Sequence, residues 1–161
     1  MIDSGMRRLF SGKVFSEYAQ FCLNDASSSL EGLEGIWTPD ALGLHLGAAP
    51  GILAIGTSTK HGYVAVEVWL SSDRPAPDVT AWDQVVEASL TITSGRLQLT
   101  SITSEETLGS VDMGSYRVRV LSGGLNDGQE VGDGGDKYRL ELWSQSPLAP
   151  EVLKLYPDWP R

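Results

Sequence analysis

The chain has 161 residues, of which 41% are hydrophobic and 20% charged, a balance that excludes a disordered segment and contains no apolar run long enough to cross a membrane as a helix. Twelve basic against 21 acidic side chains give a formal charge of −9, the opposite of the basic surface that releases counterions from phosphate, so binding of DNA or RNA is not expected. The same charge repels anionic lipid and steers basic proteins toward the chain, and a chain of this size buries roughly 69% of the surface it exposes when unfolded.

Residues 1–12 carry Arg7 and Arg8 but no apolar stretch of the kind a secretory leader needs. They read as a flexible lead-in, and the cytoplasm is the default location. Lys13 to Leu23 alternates loosely, with Phe15, Ala19, Phe21 and Leu23 on one side, and its aromatic content and missing cap favour a strand over a helix. The lone cysteine, Cys22, lies between Phe21 and Leu23, a setting for a buried, inert thiol. Leu42-Leu44-Leu46 and Gly51 to Thr57 are two shorter apolar strand candidates. Gly62 to Ser71 is the clearest period of two, with Val64, Val66, Val68 and Leu70 opposite Tyr63, Ala65, Glu67 and Trp69.

Asp73 to Asp78, with Pro75 and Pro77, reads as a stiff surface connection, and Trp82 after it as a plug at the edge of the fold. Gln84 to Thr93 turns Val86, Ala88, Leu90 and Ile92 to one face, and Ser94-Gly95 then predicts a tight hairpin onto Arg96 to Thr100. Ser115 to Leu121 puts Tyr116, Val118 and Val120 inward and Arg117 and Arg119 outward; Lys137 to Ser144 puts Tyr138, Leu140 and Leu142 on one face and Arg139, Glu141 and Trp143 on the other. The proline-rich tail, residues 147–161, leaves room for one helical turn at Glu151 to Leu155 in an otherwise irregular segment. About eight short strands without a long amphipathic helix predict an all-β fold, an antiparallel β-sandwich of jelly-roll type, as a single domain over residues 1–161.

Catalytic constellations are sparse. His45 and His61 are the only histidines; His45 reads as a solvated strand residue, and His61 falls in a loop, Gly56 to Gly62, that lacks the second glycine of a nucleophile elbow. Glu67 and Glu87 stand on outward strand faces and could pair across a cleft as a glycosidase requires, but cross-strand pairing with Arg117, Arg119 and Arg139 is the simpler use. The stretch Gly123 to Asp136, GGLNDGQEVGDGGD, holds Asp127, Glu130, Asp133 and Asp136 on a backbone with six glycines and no basic residue. Its oxygen-rich side chains suit calcium, although the EF-hand spacing is absent, and a mobile acidic loop that meets a basic partner is the alternative. Trp69 and Trp143 lie opposite their strands' aliphatic faces, which leaves burial, sugar stacking or a protein interface open.

The segments Ser16-Glu17-Tyr18-Ala19-Gln20-Phe21, Gly114-Ser115-Tyr116-Arg117-Val118-Arg119-Val120 and Asp136-Lys137-Tyr138-Arg139-Leu140-Glu141-Leu142-Trp143 resemble, in the same order, segments of the competence protein J (ComJ) group and of a broader set of small bacterial β-proteins. The resemblance implies a non-enzymatic inhibitor that binds a nuclease, and it carries over no site residue. The expectation is therefore a cofactor-free protein-binding domain with a basic nuclease or toxin as partner. Asp127, Glu130, Asp133 and Asp136 form its binding edge, with Trp143 as anchor. A carbohydrate- or calcium-binding sandwich is the alternative, and a carboxylate hydrolase the third reading.

Overall fold

A computed structural model describes residues 5–28, 33, 35–101 and 103–159. The chain enters through β1 (Met6–Glu17) and β2 (Gln20–Asp25). The sequence presents these as one alternating run, but Tyr18 and Ala19 between them take left-handed backbone angles, φ 54° and 58°. That kink sends β1 into one sheet and β2 into the other. β1 begins at Met6 and pairs from there with the fifth strand, so residues 6–12 are part of a sheet and not a flexible lead-in.

The short helix α1 (Pro39–Leu44) follows. Thr38 caps it by accepting the Ala41 N–H at 3.2 Å, Pro39 occupies its first turn, and His45 ends it in a left-handed conformation at φ 53°. This overturns the strand expected at Leu42-Leu44-Leu46, where helix-start chemistry outweighs three leucines; only Leu46 enters a strand, β3 (Leu46–Ala49). The remaining strands are β4 (Ile52–Gly56), β5 (His61–Ser71), β6 (Gln84–Ile92), β7 (Arg96–Thr100), β8 (Glu105–Ser110), β9 (Gly114–Gly123), β10 (Lys137–Ser144) and β11 (Glu151–Lys154).

Among the described residues, eleven strands form a six-stranded sheet in the order β1-β5-β10-β9-β6-β11 and a five-stranded sheet in the order β3-β4-β2-β7-β8. Neighbours are antiparallel except β5 and β10, which run parallel. The all-β sandwich is as the periodicity predicts. Val64, Val66 and Val68, then Val86 to Ile92 in alternation, Tyr116, Val118 and Val120, and Tyr138, Leu140 and Leu142 meet Phe21, Leu23, Leu53, Ile55, Leu97 and Leu99 of the second sheet in one core. Two local expectations fail. Ser94-Gly95 does not close a hairpin, because β6 and β7 belong to different sheets; Ser94 there donates its N–H to Asp25 at 3.1 Å, which fixes the crossing. Glu151 to Lys154 is an edge strand on β6, not a helical turn.

Candidate functional site

The acidic connection between β9 and β10, residues 124–136, is not a free loop. It opens with a 3-10 turn at Leu125–Asp127 and lies along the corner between β4 and β5. Lys60 and His61 donate their N–H groups to the carbonyls of Gln129 and Glu130, Gly132 and Gly134 donate back to His61 and Tyr63, and Asp133 accepts the Tyr63 N–H at 3.2 Å. The approach is close enough to demand glycine. A Cβ on Gly62 would sit 1.9 Å from the Gly132 carbonyl oxygen, and one on Gly134 would sit 1.8 Å from the Thr59 hydroxyl.

Asp136 anchors the end of this strap. It is 1% exposed and accepts three hydrogen bonds: from the Thr59 N–H at 2.9 Å, the Thr59 hydroxyl at 2.5 Å and the Tyr138 hydroxyl at 2.6 Å. Burial, the neighbouring Asp136 charge and this hydrogen bond all push the Tyr138 phenol well above its ordinary pKa, so Tyr138 is a neutral donor to Asp136. Its oxygen also accepts the Ser58 N–H at 2.8 Å. Asp136 therefore braces the strap from beneath, with its carboxylate buried and directed inward, away from the surface where the binding edge was expected.

Asp127, Glu130 and Asp133 remain exposed, Glu130 with Lys60 at 3.3 Å. Among the described residues no three His, Cys, Asp or Glu side chains converge as a metal site needs. Beside these acids lie side chains that strand alternation did not single out. Tyr18 is 68% exposed, Tyr63 46% and Val131 76%. Tyr18 packs edge-on against His61 at 5.1 Å between ring centres, Phe15 does the same against Tyr63 at 5.2 Å, and Val131 forms a β-bridge with His61. Tyr63 was legible as an outward residue of β5; Tyr18 was hidden because its run reads as an unbroken strand.

Trp143 does not join this surface. Only 2% exposed, it lies six residues along β10 from Lys137, about 20 Å at strand rise. Its ring is covered by the guanidinium groups of Arg119 at 5.0 Å and Arg74 at 5.7 Å. Trp69 is capped in the same way by Arg139 at 4.7 Å. Around these rings the outward face of the six-stranded sheet holds a buried ionic network. Glu87 receives Arg119 at 2.9 Å and Arg117 and Arg74 at 3.4 Å, and Glu141 bridges Arg119 and Arg139. The carbonyls of Pro75, Leu148 and Ala149 take further arginine N–H groups. The cross-strand pairing expected of Glu67 and Glu87 with Arg117, Arg119 and Arg139 is present, and the connection after β5 and the tail after β10 roof this face, so that Arg117, Arg119 and Glu87 point away from the core and are still buried.

The two carboxylates considered for hydrolysis stand on β5 and β6, three strand spacings apart, roughly 14 Å, outside the separation that glycoside cleavage uses. His45 is no solvated strand residue: it closes α1 and stacks on Trp159 at 3.6 Å, and burial pushes its pKa down to about 4. His61 accepts the Tyr18 N–H at 3.5 Å. The thiol of Cys22 is buried and pushed up to about 12 by that burial.

The fold and the site together describe an all-β sandwich with an ordered acidic strap at one end. No known protein family matches the chain, and no curated protein matches it by sequence. Its fold is that of ComJ from Bacillus subtilis, described as an inhibitor of the DNA-degrading activity of NucA: the two superpose with a TM-score of 0.65 over 87% of this chain and 98% of ComJ, at 14% identity. The crocagin biosynthetic gene J product is similar as well, with a TM-score of 0.64 over 88% of this chain and 99% of that one, at 18% identity. Among the described residues no helix is long and apolar enough to cross a membrane.

Proposed function

We propose that this chain is a non-enzymatic, cytoplasmic protein-binding domain that inhibits a basic nuclease or nuclease toxin by occupying its cationic surface. The observation that carries this reading is the shared architecture with a nuclease inhibitor along nearly its whole length. The charge of −9 supports it, because an acidic surface accelerates encounter with the positive cleft that a nuclease presents to DNA. Asp127, Glu130 and Asp133 are the members of the strap that can meet such a cleft.

The test is a DNA-degradation assay. Each basic nuclease encoded in the source genome is purified and mixed with the protein, with NucA as a reference, at about 50 mM and about 300 mM salt. Stoichiometric inhibition that weakens at the higher salt is the expected result. Inhibition of none of them, with no complex formed on a sizing column, overturns the reading.

A further inference from the structure

We infer that the basic partner docks where the β1 and β5 edge approaches β8, and that it inserts an arginine or lysine side chain between an aromatic wall and two glutamates there; this rests on the protein-binding reading above. Three of the exposed large apolar side chains, Tyr18, Tyr63 and Val131, gather at this end of the sandwich around His61. An apolar patch of this kind, rimmed by charge, marks a protein interface. On the side of Tyr63 away from the strap there is a cavity of about 140 Å³, walled by Phe10, Phe15 and Tyr63, by Glu105 and Glu106 of β8, and by Lys13.

The chemistry of this cavity selects a cation. Aromatic rings attract a guanidinium or ammonium to their faces, and two carboxylates supply charge-assisted acceptors. Lys13 lines the same cavity, but among the described residues neither Glu105 nor Glu106 has an ion-pair partner. Across Tyr63, Asp133 and the partly neutralised Glu130 extend the negative rim. The acids therefore flank the aromatic patch on both sides, an arrangement complementary to a basic surface with a protruding arginine or lysine.

The patch is also held before any partner arrives. Tyr18 stands outward on a left-handed backbone, fixed by the Ala19 N–H to the Lys60 carbonyl at 3.0 Å and by the Thr57 N–H to the Ala19 carbonyl at 2.8 Å. A backbone already fixed at the anchor leaves less to be ordered on binding.

The experiment uses the nuclease that the wild-type protein inhibits and measures affinity and association rate for four variants, with melting curves to verify folding. Tyr18→Ala and Tyr63→Ala are expected to weaken binding by about 30-fold or more each, as central aromatic anchors do. Glu105→Lys combined with Glu106→Lys is expected to slow association by about tenfold and to flatten its salt dependence. Asp40→Lys, on α1 beside the opposite edge of the five-stranded sheet, makes at a distance half the charge change of the double variant, the same as either of its substitutions alone, and is expected to leave affinity within about twofold. If the first three variants bind as wild type does, or if Asp40→Lys weakens binding as much as they do, the docking surface is refuted while the inhibitor reading stands. If the wild-type protein inhibits no nuclease, the reading falls and takes the surface with it.

Discussion

Asp136 gives the sharpest test of how the acidic strap is held. Asp136→Ala removes a buried carboxylate and its three hydrogen bonds, leaving the Thr59 N–H, the Thr59 hydroxyl and the Tyr138 hydroxyl without their acceptor. Hydrogen bonds to a charged group contribute about 1.5–3 kcal/mol each, and part of that is recovered because the carboxylate no longer has to be kept out of water. A net loss of about 3–5 kcal/mol follows. With a urea dependence of about 2 kcal/mol/M, the unfolding midpoint falls by about 2 M. Asp136→Asn keeps one acceptor oxygen, and the Thr59 hydroxyl can turn to accept from the new amide, so its loss is about 1–2 kcal/mol. Asp133→Ala, at the exposed part of the strap, stays within about 0.5 kcal/mol of wild type. Urea titrations followed by tryptophan fluorescence give the order, and hydrogen exchange locates it: the amides of Lys60, His61, Gly132 and Gly134, which join the strap to β5, lose protection first. A midpoint for Asp136→Ala within about 0.5 M of wild type, or unchanged protection at those amides, refutes the claim that this carboxylate clamps the loop.

Three further outcomes follow from the same structure. Gly62→Ala forces a methyl group to within 1.9 Å of the Gly132 carbonyl oxygen; it is expected to destabilise by about 1–3 kcal/mol and to release the strap amides in hydrogen exchange. Cys22, with its thiol buried and its pKa pushed up to about 12, is expected to resist a thiol reagent such as dithionitrobenzoate at pH 8 and to react at once in denaturant; fast labelling of the native protein contradicts its burial. At Asp25, burial pushes the pKa up, but hydrogen bonds from Ser27, Ser94 and Thr93 outweigh it and hold the group at about 2, against 3.8 for a free carboxyl. The folded state therefore binds this proton more weakly than the unfolded state. The resulting stabilisation is complete above about pH 4 and lost as the pH falls through 2. Water reaches the exposed Ser27, Thr93 and Ser94, so its size is roughly 1–2 kcal/mol, and comparing Asp25→Asn with wild type by urea titration at pH 7 and pH 2.5 measures it.

Much of the sandwich was legible because β5, β6, β9 and β10 alternate cleanly and pack their apolar faces inward. Their outward faces misled. Alternation says only that Arg117, Arg119 and Glu87 leave the core, and cannot say that the segments after β5 and β10 fold back to roof them. β8 escaped notice because its Glu-Glu-Thr-Leu-Gly-Ser run is an edge strand facing water on most sides, and β11 because its flanking prolines suggest an irregular tail. The break at Tyr18-Ala19 carries no glycine or proline to announce it. Within the acidic stretch, composition marks four carboxylates as equals, yet Asp136 is adjacent to the start of β10 and its side chain turns beneath the strap. Position relative to the strand end was the available signal, and residue type overrode it.

The placement of charge separates stability from binding, and this separation is itself testable. Arg74, Arg117, Arg119 and Arg139 gather with Glu67, Glu87 and Glu141 on one sheet face. That group carries four positive and three negative charges, so the remaining eight basic and 18 acidic side chains of the chain leave −10 for everything outside it. The network is inward-looking: Arg119 is fully buried, and its removal leaves Glu87 and Glu141 short of a partner. Arg119→Met is expected to destabilise by about 3–5 kcal/mol while leaving the association rate of the protein that remains folded within about twofold of wild type. Glu130→Gln together with Asp127→Asn should do the reverse, holding the melting temperature within about 2 °C and slowing association several-fold at low salt but not at high salt. Stopped-flow binding and thermal melts on the two proteins read both quantities. If the loop variant melts early, or if Arg119→Met slows association of the folded protein, charge on the sheet face and charge on the strap are not independent, and the division of labour between them is wrong.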